Sequence, residues 1–222
     1  MIATWPCPSS HDPEASEYAL AVPGGGSKVV LIVPPLFDEA NKLRRLLAET
    51  LRLLGATGIG AVLPDLPGTN ESVAPLDTQT LAGWRAAMAR AAKHFSASHV
   101  LAVRGGALVS PALPGWHYAP ASGAAILRQM LRARVIAARE AGRTEDREGL
   151  MAEALDHGIV LQGYPLSSVM MTELSEAVPI HPATPISQSD IGGGSLWLRA
   201  EPDFDPQQAQ ALAARIAADL QL

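Results

Sequence analysis

The sequence predicts an α/β fold built on a mostly parallel, twisted sheet, and three observations carry that prediction. Val29-Val30-Leu31-Ile32-Val33 is an unbroken aliphatic run of strand length, the pattern of a strand buried on both faces. Leu43, Leu47, Leu51 and Leu54 follow at helical spacing, placing an amphipathic helix over about 40–54. The alternation then repeats, with a strand over Gly58–Pro64, a helix over Leu81–Phe95 and a strand over His99–Val103. Parallel neighbours need right-handed crossovers, so helices are expected on both faces of the sheet.

Each remaining element has its own signal. Residues 1–16 are rich in Pro, Ser and acid and read as a flexible arm, leaving 17–222 as one domain. Tyr18 to Val22 reads as a strand. The Gly24-Gly25-Gly26 run after it is read as a turn, because it precedes a strand and lacks the Gly-Lys-Ser/Thr ending of a phosphate loop. Pro34-Pro35 ends the aliphatic strand. Trp116 to Pro120 reads as a further short strand. Ser122–Gly142 and Glu145–His157 read as helices, and 122–157 reads as a small helical cap carrying six of the fourteen arginines. A strand over Gly158–Gly163, a helix over Ser167–Ala177 and a last strand over Ser195–Arg199 complete the sheet. The final helix has the clearest local signature, with Asp205 as cap, Pro206 at the first position and Gln208 completing a capping-box pattern. Ala209, Leu212, Ala213, Ile216, Ala217 and Leu220 give it one apolar stripe.

Composition bounds the function. The 222 residues are 48% hydrophobic and 18% charged, enough apolar material for a sizeable core and too much for wholesale disorder. Lys and Arg number 17 against 22 Asp and Glu, a net charge of −5, so nucleic acid is not an expected partner. A single cysteine, Cys7, excludes an intramolecular disulfide and a cysteine-based zinc cluster and fits a reducing cytoplasm. No apolar run approaches the roughly 18–20 residues of a membrane span, and no secretory signal is visible. No metal or other cofactor is expected.

In a parallel sheet, ligands bind at the carboxyl ends of the strands. Those segments here include Pro34-Pro35-Leu36-Phe37-Asp38-Glu39-Ala40-Asn41-Lys42, then Asp65-Leu66-Pro67-Gly68, then Ala102-Val103-Arg104-Gly105-Gly106. With Pro120 to Arg132, Gly163-Tyr164-Pro165-Leu166-Ser167 and Glu201-Pro202, their order resembles an α/β-hydrolase. More narrowly, it is similar to the bacterial hydrolases associated with the exosortase A system, which are linked to exopolysaccharide and protein-sorting loci. The resemblance runs from about residue 28 onward. It implies a nucleophile on a sharp turn after the third core strand, an oxyanion-hole N–H near Leu36 or Phe37, and a histidine after the last strand.

The residues at those positions depart from this pattern. The pentad of the nucleophile elbow places Arg104 where a serine is expected, and a guanidinium cannot attack a carbonyl. The segment after the expected last strand, Ala200 to Asp205, contains no histidine. Ser110 and His117 remain the catalytic candidates. Arg104, Gly105, Gly106, Leu36, Phe37, Asp38, Glu39, Glu201 and Asp203 form the candidate binding site for a small anionic or acyl ligand. The alternative role for Arg104 is an internal ion pair with Asp38, Glu39, Glu201 or Asp203. Asp38 and Glu39 also suit the positive end of a helix dipole, and Asp65 shapes the turn with Pro67 and Gly68. Three readings stay open: a non-catalytic binding or accessory protein, an esterase- or thioesterase-type hydrolase with a non-standard nucleophile, and an interaction protein whose cap surface forms a homodimer or docks a partner.

Overall fold

A computed structural model of the chain describes residues 1–9 and 12–221. Seven strands form one sheet: β1 (Ile2–Pro6), β2 (Ser16–Val22), β3 (Val29–Val33), β4 (Gly60–Pro64), β5 (His99–Val103), β6 (Gly115–Tyr118) and β9 (Thr184–Ile186). Their spatial order is β1-β2-β4-β3-β5-β6-β9. The first two pairings, β1 with β2 and β2 with β4, are antiparallel. All the others are parallel. A separate hairpin joins β7 (Ile159–Leu161) to β8 (Tyr164–Leu166). Its two turn residues, Gln162 at φ 52° and Gly163 at φ 85°, both have the positive φ of a tight hairpin turn.

The period-two alternation of the strands divides the core into two layers. Val30 and Ile32 of β3, Ala61 and Leu63 of β4, Leu101 and Val103 of β5, and Trp116 and Tyr118 of β6 point to one side. That side is covered by α1 (Asp38–Ala56) and α7 (Pro206–Gln221), which pack against each other. Leu31, Val33, Val62, Val100 and Ala102 point to the other side, under α2 (Leu81–His94) and α3 (Gly123–Glu140). Helices α4 (Arg147–His157) and α5 (Ser168–Glu176) pack against α3 and extend this layer over the 122–157 region, and the short α6 (Gln188–Ile191) follows β9.

Where local signals were strong, the helices begin and end as the sequence predicts. Ser122, Asp146 and Ser167 each accept a hydrogen bond from a backbone N–H of the first turn of α3, α4 and α5. In α7, Asp205 accepts from the Gln207 N–H at 2.9 Å. The Gln208 side-chain amide donates to the Gly194 carbonyl at 2.9 Å and to the Asp205 carboxylate at 3.3 Å.

Several expectations are corrected. Ile2–Pro6, expected within a flexible arm over 1–16, is the edge strand of the sheet, held by antiparallel pairing with β2 and by the fully buried Trp5 indole. Ser10 and His11 of that arm lie outside the described residues. The strand expected over Gly158–Gly163 is one arm of the small hairpin. Ser195–Arg199, expected as the last strand, contains a single 3-10 turn at Leu196–Leu198, and the sheet is completed by β9. The helix expected to open after β5 is a 3-10 segment, Arg104–Leu108. No helix among the described residues is long and apolar enough to cross a membrane.

Candidate functional site

The carboxyl ends of β3, β5 and β6 converge on a small set of backbone distortions. Phe37 stands at φ 55°, ψ −132° immediately before α1, Arg104 at φ 53° immediately after β5, and Ala119 at φ 43° immediately after β6. Non-glycine residues adopt positive φ rarely, at a cost of about 1–3 kcal/mol each, and such residues cluster where the surrounding structure enforces them. Gly106 shows the enforcement directly. A Cβ there would lie 2.5 Å from the Pro34 carbonyl oxygen and 2.6 Å from that of Val33, so the turn after β5 packs backbone to backbone on the end of β3. A Cβ at Gly105 would sit 2.7 Å from Ile126 and 2.9 Å from Leu36.

Arg104 is the hub of this region. Its Nε and Nη2 donate to the two oxygens of Glu39, each at 3.0 Å, a side-on fork. Its Nη1 donates to the Ala119 carbonyl at 2.7 Å. The guanidinium also stacks over Trp197, 4.4 Å from Cζ to the ring centroid. Both partners are largely withdrawn from water, with side-chain exposures of 15% for Arg104 and 8% for Glu39. Trp197 in turn meets Tyr118 edge to face at 5.9 Å. Burial pushes the Tyr118 hydroxyl up to about 12, against the nearby Arg104 charge, and this hydroxyl donates to Gln188.

On the other side of the elbow, Phe37 is buried between aromatic rings, 5.7 Å from Trp84 and 5.6 Å from Tyr164 of the β7–β8 hairpin. Burial, aided by the Asp38 charge, raises the Tyr164 hydroxyl above its ordinary value. Asp38 itself pairs with Lys42 at 2.6 Å, one helical turn on. Asp65 is buried after β4, and its Oδ1 accepts from Arg44 and from Asn70, both at 2.8 Å.

The structure therefore brings together Leu36, Phe37, Glu39, Arg104, Gly105 and Gly106, with Asp38 in the first turn of the same helix. Glu201 and Asp203, expected beside Arg104, are exposed, and neither bonds to it. Asp203 lies 3.9 Å from Arg199 instead. The 195–199 segment turns instead of running as a strand, and it is Trp197 of this stretch that meets Arg104. Ser110 is buried, and its Oγ makes a long contact of 3.4 Å with the Pro111 carbonyl. His117 lies in the middle of β6, on the face opposite Trp116 and Tyr118. Its Nε2 is buried without a hydrogen-bond partner among the described residues. Burial, reinforced by the neighbouring His181, lowers its pKa. No hydrogen bond joins Ser110 to His117 among the described residues. Trp197 and Ala119 were not foreseen as partners of Arg104. The one signal for Trp197 is its aromatic side chain within the expected last strand.

The whole chain superposes on a protein described as a "putative hydrolase" from Agrobacterium vitis S4, with a TM-score of 0.59, 16% identity and coverage of 98% of this chain and 97% of that one. This chain has an α/β-hydrolase fold. Partial likenesses extend to a serine hydrolase without lid from Xanthomonas campestris, at TM-score 0.43, 14% identity and coverage of 54% and 61%. An epoxide hydrolase from Vigna radiata matches at TM-score 0.42, 16% identity and coverage of 53% and 39%. No protein-family model and no curated protein sequence matches the chain. The turn after β5 has a positive φ at Arg104 and a close-packed glycine at Gly106, and the guanidinium it carries is bonded within the protein.

Proposed function

We propose that this chain is a non-catalytic α/β-hydrolase-fold protein with a binding or accessory function. One observation carries the reading: Arg104 occupies the turn where the resemblance expects a nucleophile, and three of its five N–H donors bond to Glu39 and Ala119. A guanidinium stays protonated and offers no lone pair for attack. The same commitments favour the internal ion pair over an anion site at Arg104, because an incoming carboxylate would have to displace Glu39. The reading as a hydrolase with Ser110 as nucleophile lacks support, since a serine needs a base within about 2.6–3.2 Å. The motif resemblance to exosortase-associated hydrolases supports an accessory role beside a bacterial exopolysaccharide or protein-sorting system.

The test is hydrolysis of p-nitrophenyl esters of short and medium acyl chains by the purified chain. The expected result is no rate above buffer for the natural chain or for Ser110→Ala. Turnover that disappears in Ser110→Ala would overturn the proposal and establish the hydrolase.

A further inference from the structure

The helical layer over 122–157 holds a half-open cleft of about 330 Å³ that neither the elbow nor its ion pair touches. Its floor comes from one face of α3, where Ala124, Leu127, Arg128 and Leu131 follow the i, i+3, i+4, i+7 rule. The first turns of α4 close it with Arg147, Glu148 and Met151, and Ser175 of α5 closes one end. Leu127 and Leu131 are buried, Met151 is half-buried and Ala124 is exposed, so the floor is apolar and reachable from solvent. The volume falls within the range of small-ligand sites, which combine apolar walls with a few placed polar groups.

The charges at the mouth choose the occupant. Elsewhere in this layer Arg134 lies 2.6 Å and Arg143 3.7 Å from Glu145, while the exposed Arg132 and Arg139 do not line the cleft. Arg128 and Arg147 have no ion-pair or hydrogen-bond partner among the described residues, and both are exposed at the cleft. Glu148 on the same rim offsets one of the two, leaving a net single positive charge facing an apolar floor. That pairing is complementary to one anionic head group on one hydrocarbon chain, with the methionine thioether as an adaptable wall. A cationic or uncharged amphiphile would bury the same chain and leave the guanidiniums unmatched.

We propose that this cleft binds a medium-chain fatty carboxylate, its chain along Leu127, Leu131 and Met151 and its head group between Arg128 and Arg147. The inference rests on the binding-protein reading above and names the ligand class. The experiment is isothermal titration of the full chain with decanoate below its micelle concentration, alongside decanol and decyltrimethylammonium. Saturable binding is expected for decanoate, roughly 10-fold weaker binding for decanol, and weaker still for the ammonium. Ala124→Trp, at an exposed position, fills the cleft and should abolish binding. The exposed double variant Arg128→Ala/Arg147→Ala should bring decanoate to the level of decanol while leaving the thermal midpoint unchanged. Absence of saturable decanoate binding, equal affinity for all three probes, or decanoate binding untouched by the double variant would overturn the proposal. Ester turnover would instead overturn only the non-catalytic reading, so the two failures are distinguishable.

Discussion

Arg104 and Glu39 stand 65 positions apart in the chain and meet as a side-on fork, two parallel N–H···O bonds of 3.0 Å with both groups nearly out of water. Arg104 directly follows β5 and Glu39 lies in the helix that follows β3, its parallel neighbour, so the pair ties the end of one strand to the helix that leaves the other. Removing one member of such a pair strands the other charge, at about 3–5 kcal/mol. Arg104→Ala should therefore destabilise the chain by about 3 kcal/mol in urea denaturation. The double variant Arg104→Ala/Glu39→Ala should recover part of that loss. A full additive loss in the double-mutant cycle would show that the two side chains do not act as a pair.

Gly106 gives a backbone test of the same elbow. A methyl group there meets two carbonyl oxygens of the neighbouring strand end, which cannot move aside as a side chain can. Gly106→Ala should cost about 2–4 kcal/mol, read from the denaturation midpoint. Gly25→Ala, where a Cβ meets nothing within 4 Å, should change stability by less than about 0.5 kcal/mol. Equal effects at the two positions would refute the close packing of β3 on the turn.

Glu17 is buried in β2 with one oxygen accepting from Ser72 at 2.8 Å and the other without a partner among the described residues. Its carboxyl titrates above the ordinary value, mainly from burial, with Ser72 opposing and the Asp65 charge adding to the rise. The folded state thus holds the proton more tightly than the unfolded one. Stability from this group is fully present below the unfolded carboxyl pKa and is lost as pH rises through the higher folded value. Glu17→Gln should remove that loss, so the thermal midpoints of variant and natural chain should diverge in the variant's favour as pH rises from about 4 to 7. Parallel curves would contradict it.

His117 works in the opposite sense. Burial and His181 lower its folded pKa, so the folded state disfavours the proton. Its contribution is intact above the unfolded value of about 6.5 and is lost as pH falls through the lowered folded value. His117→Gln should flatten the fall in thermal midpoint between about pH 7 and 5, as followed by circular dichroism. If the natural chain and the variant fall together, His117 is not the titrating group.

The parts of the fold that were readable from sequence are those whose residues report on themselves. The aliphatic run of β3, the leucines of α1 and the stripe of α7 each carry several turns or pleats of one pattern, and each lies where that pattern puts it. Strand β9 has three residues, Thr184-Pro185-Ile186, too few to show alternation, and its proline reads as a breaker until the sheet edge is seen to tolerate it. Strand β1 was hidden for a similar reason, its five residues lying among prolines and serines and depending on β2 for their bonds. The site divides in the same way. Arg104 was conspicuous because local sequence marks a sharp turn there. The selection of Glu39 from among four acids, and of Trp197 as a stacking plate, depends on helix direction and on a turn at 195–199 that no local pattern records.

The strand order also sets a timetable for assembly. β2 pairs with β4, although β3 follows it directly in the chain. When the first two strands have been synthesised, the edge they will occupy does not yet exist. It is created only after α1 has crossed over and Gly60–Pro64 has settled beside β3. The amino-terminal hairpin must therefore wait through the making of its own docking site, with the Trp5 indole uncovered, and close the sheet as a latecomer. Although translated before β4, this hairpin is thus one of the last segments of the sheet to be secured.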